Sequence, residues 1–163
     1  MATETLKSLY MEQLKDLYSA ETQMLPVLPR LADAASDAEL KDRFRRHQAQ
    51  TETHAKRLEE IFEHLGEEPT GHRCKGMEGL VKEAEEMLNW KVDPDVLDAG
   101  LIAASQRMEH YEIAGYGCVR TYARMLDLKE HQRLLQDTLD EEGGMDHDLT
   151  GIAEDDVNRD ALQ

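Results

Sequence analysis

The chain has 163 residues, with 35 acidic against 19 basic side chains and a formal charge of −16 with histidine neutral. Such a charge opposes a nucleic-acid or anionic-membrane surface, because neutralising phosphates takes Lys and Arg. The apolar runs are too short to span a bilayer, the opening MATETLKSLYMEQ lacks a signal pattern, and Cys74 and Cys118 are too few and too far apart for a disulfide framework; a cytoplasmic protein with a single domain over 1–163 is expected.

Pro (4) and Gly (10) are scarce, and alternating β-branched runs are missing, which predicts an all-α fold. The first helical pattern covers about Thr3–Ala35, with the stripe Tyr10, Leu14, Leu17, Glu21, Met24, Leu28 spaced 4, 3, 4, 3, 4. Pro26 and Pro29 fall inside it; each removes a backbone donor and crowds the preceding turn, so a kink or break is expected there. Ser36-Asp37 reads as a turn and N-cap.

The second pattern, about Ala38–Leu65, carries Leu40, Phe44, His47, Thr51, His54, Leu58, Ile61 and Leu65, and Gly66 is a natural stop. A loop through Glu67–Gly76 and a short amphipathic helix at Met77–Leu88 precede the next long helix, about Asp95–Met125. Its stripe runs Ile102, Ser105, Glu109, Glu112, Tyr116, Val119, Ala123, Leu126. The last pattern, about Lys129–Ile152, has Leu135, Thr138, Glu142, Met145, Leu149 and Ile152, with Asp146 beside Met145. Gly143-Gly144 weakens that helix by about 1 kcal/mol per Gly relative to Ala and offers room for a close approach. The acidic tail from about Glu154 to Gln163 is expected to fray. Two short turns make two antiparallel hairpins, and the roughly 30-residue link between them carries its own helix: a four-helix bundle with one long crossover, the ferritin-like arrangement.

Every long helix bears ligand-capable residues in the middle of its apolar stripe: Glu21, then His54 with His47 and Thr51, then Glu109 and Glu112, then Glu142 and Asp146. A soluble helix normally turns Glu outward. Glu109 and Glu112, three residues apart, lie about 60° apart around their helix and can share a target. Counted from the hairpin turn near Ser36, Glu21 lies 15 residues back and His54 lies 18 forward. From the turn near Leu128, Glu112 lies 16 back and Glu142 lies 14 forward, while Glu109 and Asp146 match at 19 and 18. At ~1.5 Å per residue the mismatches are only about 2–5 Å, so each hairpin brings its polar groups to one level. Carboxylates with one or two imidazoles suit a pair of iron or manganese ions, with zinc also compatible. The competing arrangement is a polar core network in which the acids are protonated or paired with Arg107, Lys56 or tyrosines. His47 reads equally as an outer partner or a core histidine, His110 and His147 as exposed, Tyr18, Tyr111 and Tyr116 as core filling or partners of the site, and the acidic runs Glu83–Glu86 and Asp140–Glu142 as solvated faces.

The phrases DLYSAETQMLPVLPRLA, GMEGLVKEAEE, LIAASQRMEHYEIAGYG and TLDEE, in this order, resemble the YciE/YciF family of bacterial ferritin-like proteins. The resemblance spans nearly the whole chain and implies a ferritin-like, rubrerythrin-like fold and an association with stress responses. The wider di-iron pattern has Glu on the first helix, Glu-x-x-His on the second, Glu on the third and Glu-x-x-His on the fourth. Carried over, Glu21, His54, Glu112 or Glu109, and Glu142 fill it; Thr51 stands where a Glu is expected and Met145 where a His is expected, with Asp146 and the spare glutamate as substitutes. Two functions follow as expectations: a di-metal protein with oxidase, peroxidase or iron-handling chemistry, or a metal-free helical stress protein acting through its dimer surface or partners. Storage in a ferritin-type shell is a weaker third, since no cage-forming interface is legible. Self-association as a homodimer is expected through Leu6, Leu9, Met11 and the short helix.

Overall fold

Thr5 starts the first helix: its hydroxyl accepts from the Ser8 amide while the Ser8 hydroxyl accepts from the Thr5 amide, a reciprocal cap. The computed structural model describes residues 5–162, so the expected start at Thr3 lies outside the described residues. Helix α1 spans Leu6–Met24 and α2 spans Leu28–Ala34. The chain breaks between them at Pro26, and Pro29 sits in the first turn of α2, where its missing N–H costs nothing. The break follows the physics anticipated from the two prolines.

Helix α3 covers Ala38–Leu65, capped by the Asp37 carboxylate on the Leu40 amide at 2.8 Å and closed by Gly66 at φ 67°. Helix α4, Lys75–Met87, begins two residues earlier than its amphipathic pattern suggests, because the Cys74 sulfur accepts from the Met77 amide at 3.3 Å and acts as the cap. Helix α5 runs Pro94–Met125 and α6 runs Lys129–Ile152. Beyond Ile152 the chain continues through a π turn, Ala153–Val157, into the short helix α7, Asn158–Asp160. The tail expected to fray keeps helical geometry as far as Asp160, and Val157 is buried against the neighbouring core. No strand occurs among the described residues, and no described helix is long and apolar enough to cross a membrane.

The direction of the helices follows from what packs where. One apolar cluster joins Tyr10 and Leu14 of α1, Leu58 and Phe62 of α3, Val119 and Ala123 of α5, and Leu134 and Leu135 of α6. It unites the start of α1 and α6 with the end of α3 and α5. Hence α1 and α6 run one way and α3 and α5 the other, which is the pairing that a long crossover produces. The second cluster takes the opposite ends: Met24, Leu28, Leu31, Leu40, Phe44, Leu101, Met108, Met145 and Leu149, with Met77 and Ala84 of α4 packed in. The chain is a ferritin-like helical bundle.

Two contacts fix the frame. Asp98 of α5 is buried and takes four hydrogen bonds from the α2–α3 turn: the Ser36 amide to both oxygens at 2.9 and 3.2 Å, the Ser36 hydroxyl at 2.6 Å and the Asp37 amide at 2.7 Å. A buried carboxylate is stable only with such donors. Gly115 lets α1 approach α5 closely, since a Cβ there would fall 2.7 Å from Leu17 Cδ2.

Candidate metal centre

Between the two apolar clusters lies a polar layer. Glu21, His47, Thr51, His54, Glu109, Glu112 and Glu142 are all fully buried. Glu21 comes from α1, His47, Thr51 and His54 from successive turns of α3, Glu109 and Glu112 from one turn of α5, and Glu142 from α6. The imidazole and carboxylate atoms among them form two groups, each with all atoms within 4.8 Å of one another: His47, Glu109, Glu112 and Glu142 in one, Glu21, His54 and Glu142 in the other. Glu142 belongs to both and sits as the bridge. The crossover therefore sets both hairpins at one level.

The contacts are close. His54 Nδ1 lies 2.7 Å from Glu142 Oε1 and 3.4 Å from Glu21 Oε1. His47 Nε2 lies 3.2 Å from Glu109 Oε2 and 3.9 Å from Glu142 Oε2. Tyr116 donates to Glu21 at 2.5 Å, and Ser105 donates to Glu109 at 3.1 Å. Most of the inward atoms nevertheless lack an aligned hydrogen bond: both oxygens of Glu112 and of Glu142, one each of Glu21 and Glu109, His47 Nε2, His54 Nδ1 and the Thr51 hydroxyl. Burying polar groups without partners costs several kcal/mol, roughly 1–3 for each neutral one. A ring of lone pairs converging on two points is what a pair of hard or borderline cations takes as ligands. The donor set fits two such ions.

The electrostatics point the same way. Burial drives the Glu112 carboxyl well above the usual carboxylate range, and Glu21, Glu142 and Glu109 add to it. Glu142 is pushed up to about 8 by burial and by Glu109. Burial opposes charge on His54, but Glu141, Glu142 and Glu21 overcome it and raise it to about 12. Burial likewise opposes charge on His47, and Glu109 with Glu142 raises it to about 9. The Glu109 carboxyl sits below its ordinary value because His47 outweighs burial. In the metal-free chain, protons and imidazolium charge hold this layer together.

Five of the six residues singled out from sequence meet here: Glu21, His54, Glu109, Glu112 and Glu142. Asp146 does not join them. Its carboxylate takes Gln106 Nε2 at 3.0 Å and His110 Nε2 at 3.2 Å, partly exposed at the α5–α6 edge. The inward line of α6 passes through Glu142, Met145 and Leu149, all fully buried, and Asp146 stands about 100° around the helix from Met145. His47, which the sequence offers equally as an outer partner or a core histidine, instead joins Glu109, Glu112 and Glu142 directly. It lies seven residues, two turns, before His54 with buried Thr51 between them, and that spacing was the available signal. Glu141 belongs in sequence to a solvated acidic run, yet it accepts from His54 Nε2 at 2.7 Å and from Arg57 at 2.7 and 3.0 Å. Adjacency to a stripe residue carries no mark of such a role. Arg107 and Lys56, the cations proposed for a polar network, are exposed; Arg57 is the arginine that reaches the layer's edge. His110 and His147 are exposed as expected. Gly143 and Gly144 face open space, so nothing within the described chain approaches them.

Comparison with known proteins follows the fold over its full length. The chain is 37% identical to YciF of Escherichia coli strain K12 over 162 residues, covering 99% of this chain and 98% of that protein. The crystal structure of that protein, described as a stress protein, superposes with a TM-score of 0.91 over 95% of this chain and 98% of its own. YcfI of Rhodopseudomonas palustris matches at 35% identity with a TM-score of 0.87, covering 90% and 94% of the two chains. A protein from Xanthomonas campestris shares the fold at 20% identity and a TM-score of 0.74. The model of the domain of unknown function DUF892 matches residues 5–162. Bundle, crossover and near-complete coverage lead to one conclusion: the chain belongs to the DUF892 family, the family of YciF.

Proposed function

We propose that the polar layer is a two-cation centre for iron or manganese in a ferritin-like, stress-associated protein with oxidase, peroxidase or iron-handling chemistry. The observation that carries the reading is the convergence of buried ligand atoms: Glu112, whose two oxygens have no hydrogen-bond partner, gathers with His47, Glu109 and Glu142, and Glu142 gathers again with Glu21 and His54. Four carboxylates balance two divalent cations with both imidazoles neutral, which removes the need for protons on the carboxyl groups. Iron or manganese supplies redox chemistry toward dioxygen or peroxide; zinc fits the same donors without it. The likeness to a protein described as a stress protein supports the cellular association.

Metal analysis of protein purified without chelators, before and after anaerobic addition of iron(II) or manganese(II), tests the reading. Binding to the folded state stabilises it by roughly 2.7 kcal/mol at a hundredfold excess over Kd. The expected result is up to two ions per chain and a raised melting temperature. A melting temperature unmoved by saturating iron(II) and manganese(II) sinks it.

A second reading is a metal-free bundle acting through partners. It is favoured by Thr51 and Met145, both buried where the di-iron pattern has Glu and His. It predicts no specific metal response. Either reading includes a homodimer: Trp90, Val92 and Val96 remain exposed on the crossover and the start of α5, and Leu6 on α1. A monomer at all accessible concentrations in sedimentation would remove the dimer.

A further inference from the structure

The partners of His54 divide sharply between its two ring nitrogens. Nδ1 faces inward, 2.7 Å from Glu142 and 3.4 Å from Glu21, and has no aligned hydrogen bond. Nε2 faces the opposite way and is held by Glu141 Oε2 at 2.7 Å. Glu141 is itself fixed. Arg57, one turn along α3 from His54, grips both of its oxygens at 2.7 and 3.0 Å, and the same guanidinium bonds the Thr138 hydroxyl at 3.1 Å. A fork-to-fork arginine–carboxylate pair is rigid and directional. Its two members are partly exposed, 19% and 32%, while His54 is fully buried. The pair thus forms the wall between the polar layer and solvent.

We propose that Glu141, anchored by Arg57, is the positioning residue of the metal centre: it holds the proton on His54 Nε2 and leaves the Nδ1 lone pair for the cation. The inference rests on the two-cation reading and adds to it a residue that touches no ion. A neutral imidazole carries one N–H and one lone pair, and the hydrogen bond at one nitrogen decides which nitrogen is free to ligate. Without Glu141 the Nε2–H has no acceptor, the ring can rotate or change tautomer, and Nδ1 is no longer held for the ion. His47 has no such device. Its Nδ1 finds no partner among the described residues, so the positioning effect belongs to the His54 side of the centre alone.

The test uses the full chain with Glu141→Ala, Glu141→Gln and Arg57→Met. Manganese(II) affinity is measured by anaerobic titration, and the zinc(II)-loaded protein is examined by nitrogen-15 NMR of its histidine side chains. Wild type is expected to show His54 with a slowly exchanging Nε2–H and a metal-bound Nδ1. Glu141→Ala is expected to lose that protected proton and to bind manganese(II) about 10–100-fold more weakly. Glu141→Gln keeps an acceptor oxygen and is expected to restore most of both signals. Arg57→Met leaves Glu141 in place but mobile and falls between. Helical circular dichroism confirms that each variant is folded, and the glutamine variant keeps the test open if alanine does not fold. Wild type that binds neither ion ends the two-cation reading, and this inference with it. Wild type that binds, with Glu141→Ala and Glu141→Gln binding as tightly, leaves the centre standing and overturns the role of Glu141. Equal weakening in both variants with an unchanged His54 spectrum also overturns it, because charge rather than orientation would then be the cause.

Discussion

Glu112 is the residue on which metal and proton compete most directly. Both its oxygens are buried without partners, and burial with three neighbouring glutamates keeps it protonated in the metal-free chain. A cation must displace that proton, and those on Glu142, His47 and His54 as well. Metal uptake should therefore release protons and strengthen with rising pH, which a weakly buffered indicator titration measures directly. Glu112→Gln replaces an acid by an amide, a poorer ligand. The metal-induced rise in melting temperature should shrink, while the metal-free form holds or gains stability because one buried acid has left the cluster. Paired melts of both proteins, with and without manganese(II), check this. Loss of metal-free stability in the variant would instead show that the Glu112 carboxyl makes a bond the amide cannot replace.

Helix α6 carries an avoidable weakness in the turn that follows Glu142. Gly143 and Gly144 are exposed, lie well inside the helix and have open space where a Cβ would stand. Alanine there restricts the unfolded chain without a clash. Gly143→Ala with Gly144→Ala should stabilise by about 1–2 kcal/mol in total, read from chemical denaturation. Failure to gain would show that this face is covered in solution. The contrast is Gly115 on α5, where an added methyl meets Leu17 at 2.7 Å between two packed helices, so helix propensity and crowding oppose each other. Equal propensity arguments thus give opposite advice on two helices, and only the neighbour decides.

At the scale of the molecule, the polar layer interrupts a bundle that is otherwise sealed by two apolar clusters. The metal-free protein should lose stability as the layer's protons leave. Glu142 moves from an ordinary 4.5 to about 8 on folding, and His47 from 6.5 to about 9. A group with a raised folded pKa holds its proton after the unfolded chain has released it, so its stabilisation is complete below the unfolded value and falls as pH rises toward the folded one. Melting temperatures of chelated protein should therefore decline from about pH 5 to about pH 9. Metal-loaded protein should show a flatter profile, because cations replace the protons. A chelated profile that rises across this window would contradict the buried-proton account.

Periodicity alone determined most of the architecture. Hydrophobic spacing placed α3 and α6 at their observed ends, the prolines marked the break between α1 and α2, and residue counts from the two turns put Glu21 level with His54 and Glu112 level with Glu142. These are local properties: rise per residue, backbone donors and the phase of a stripe. The tertiary structure decided what that phase could not. Whether two hairpins share one level depends on the crossover, whose packing of Met77 and Ala84 is a long-range matter. Which edge of a stripe faces the axis depends on how close each neighbour comes. The stripe had already placed Met145 inward; the packing decided that Asp146 beside it stays at the rim with Gln106 and His110 rather than reaching the layer. It also brought His47 to Glu109, and set Glu141, one residue off the stripe, against a histidine on another helix. A carboxylate beside a stripe looks solvated in sequence because the partner that claims it lies 87 residues away in the chain.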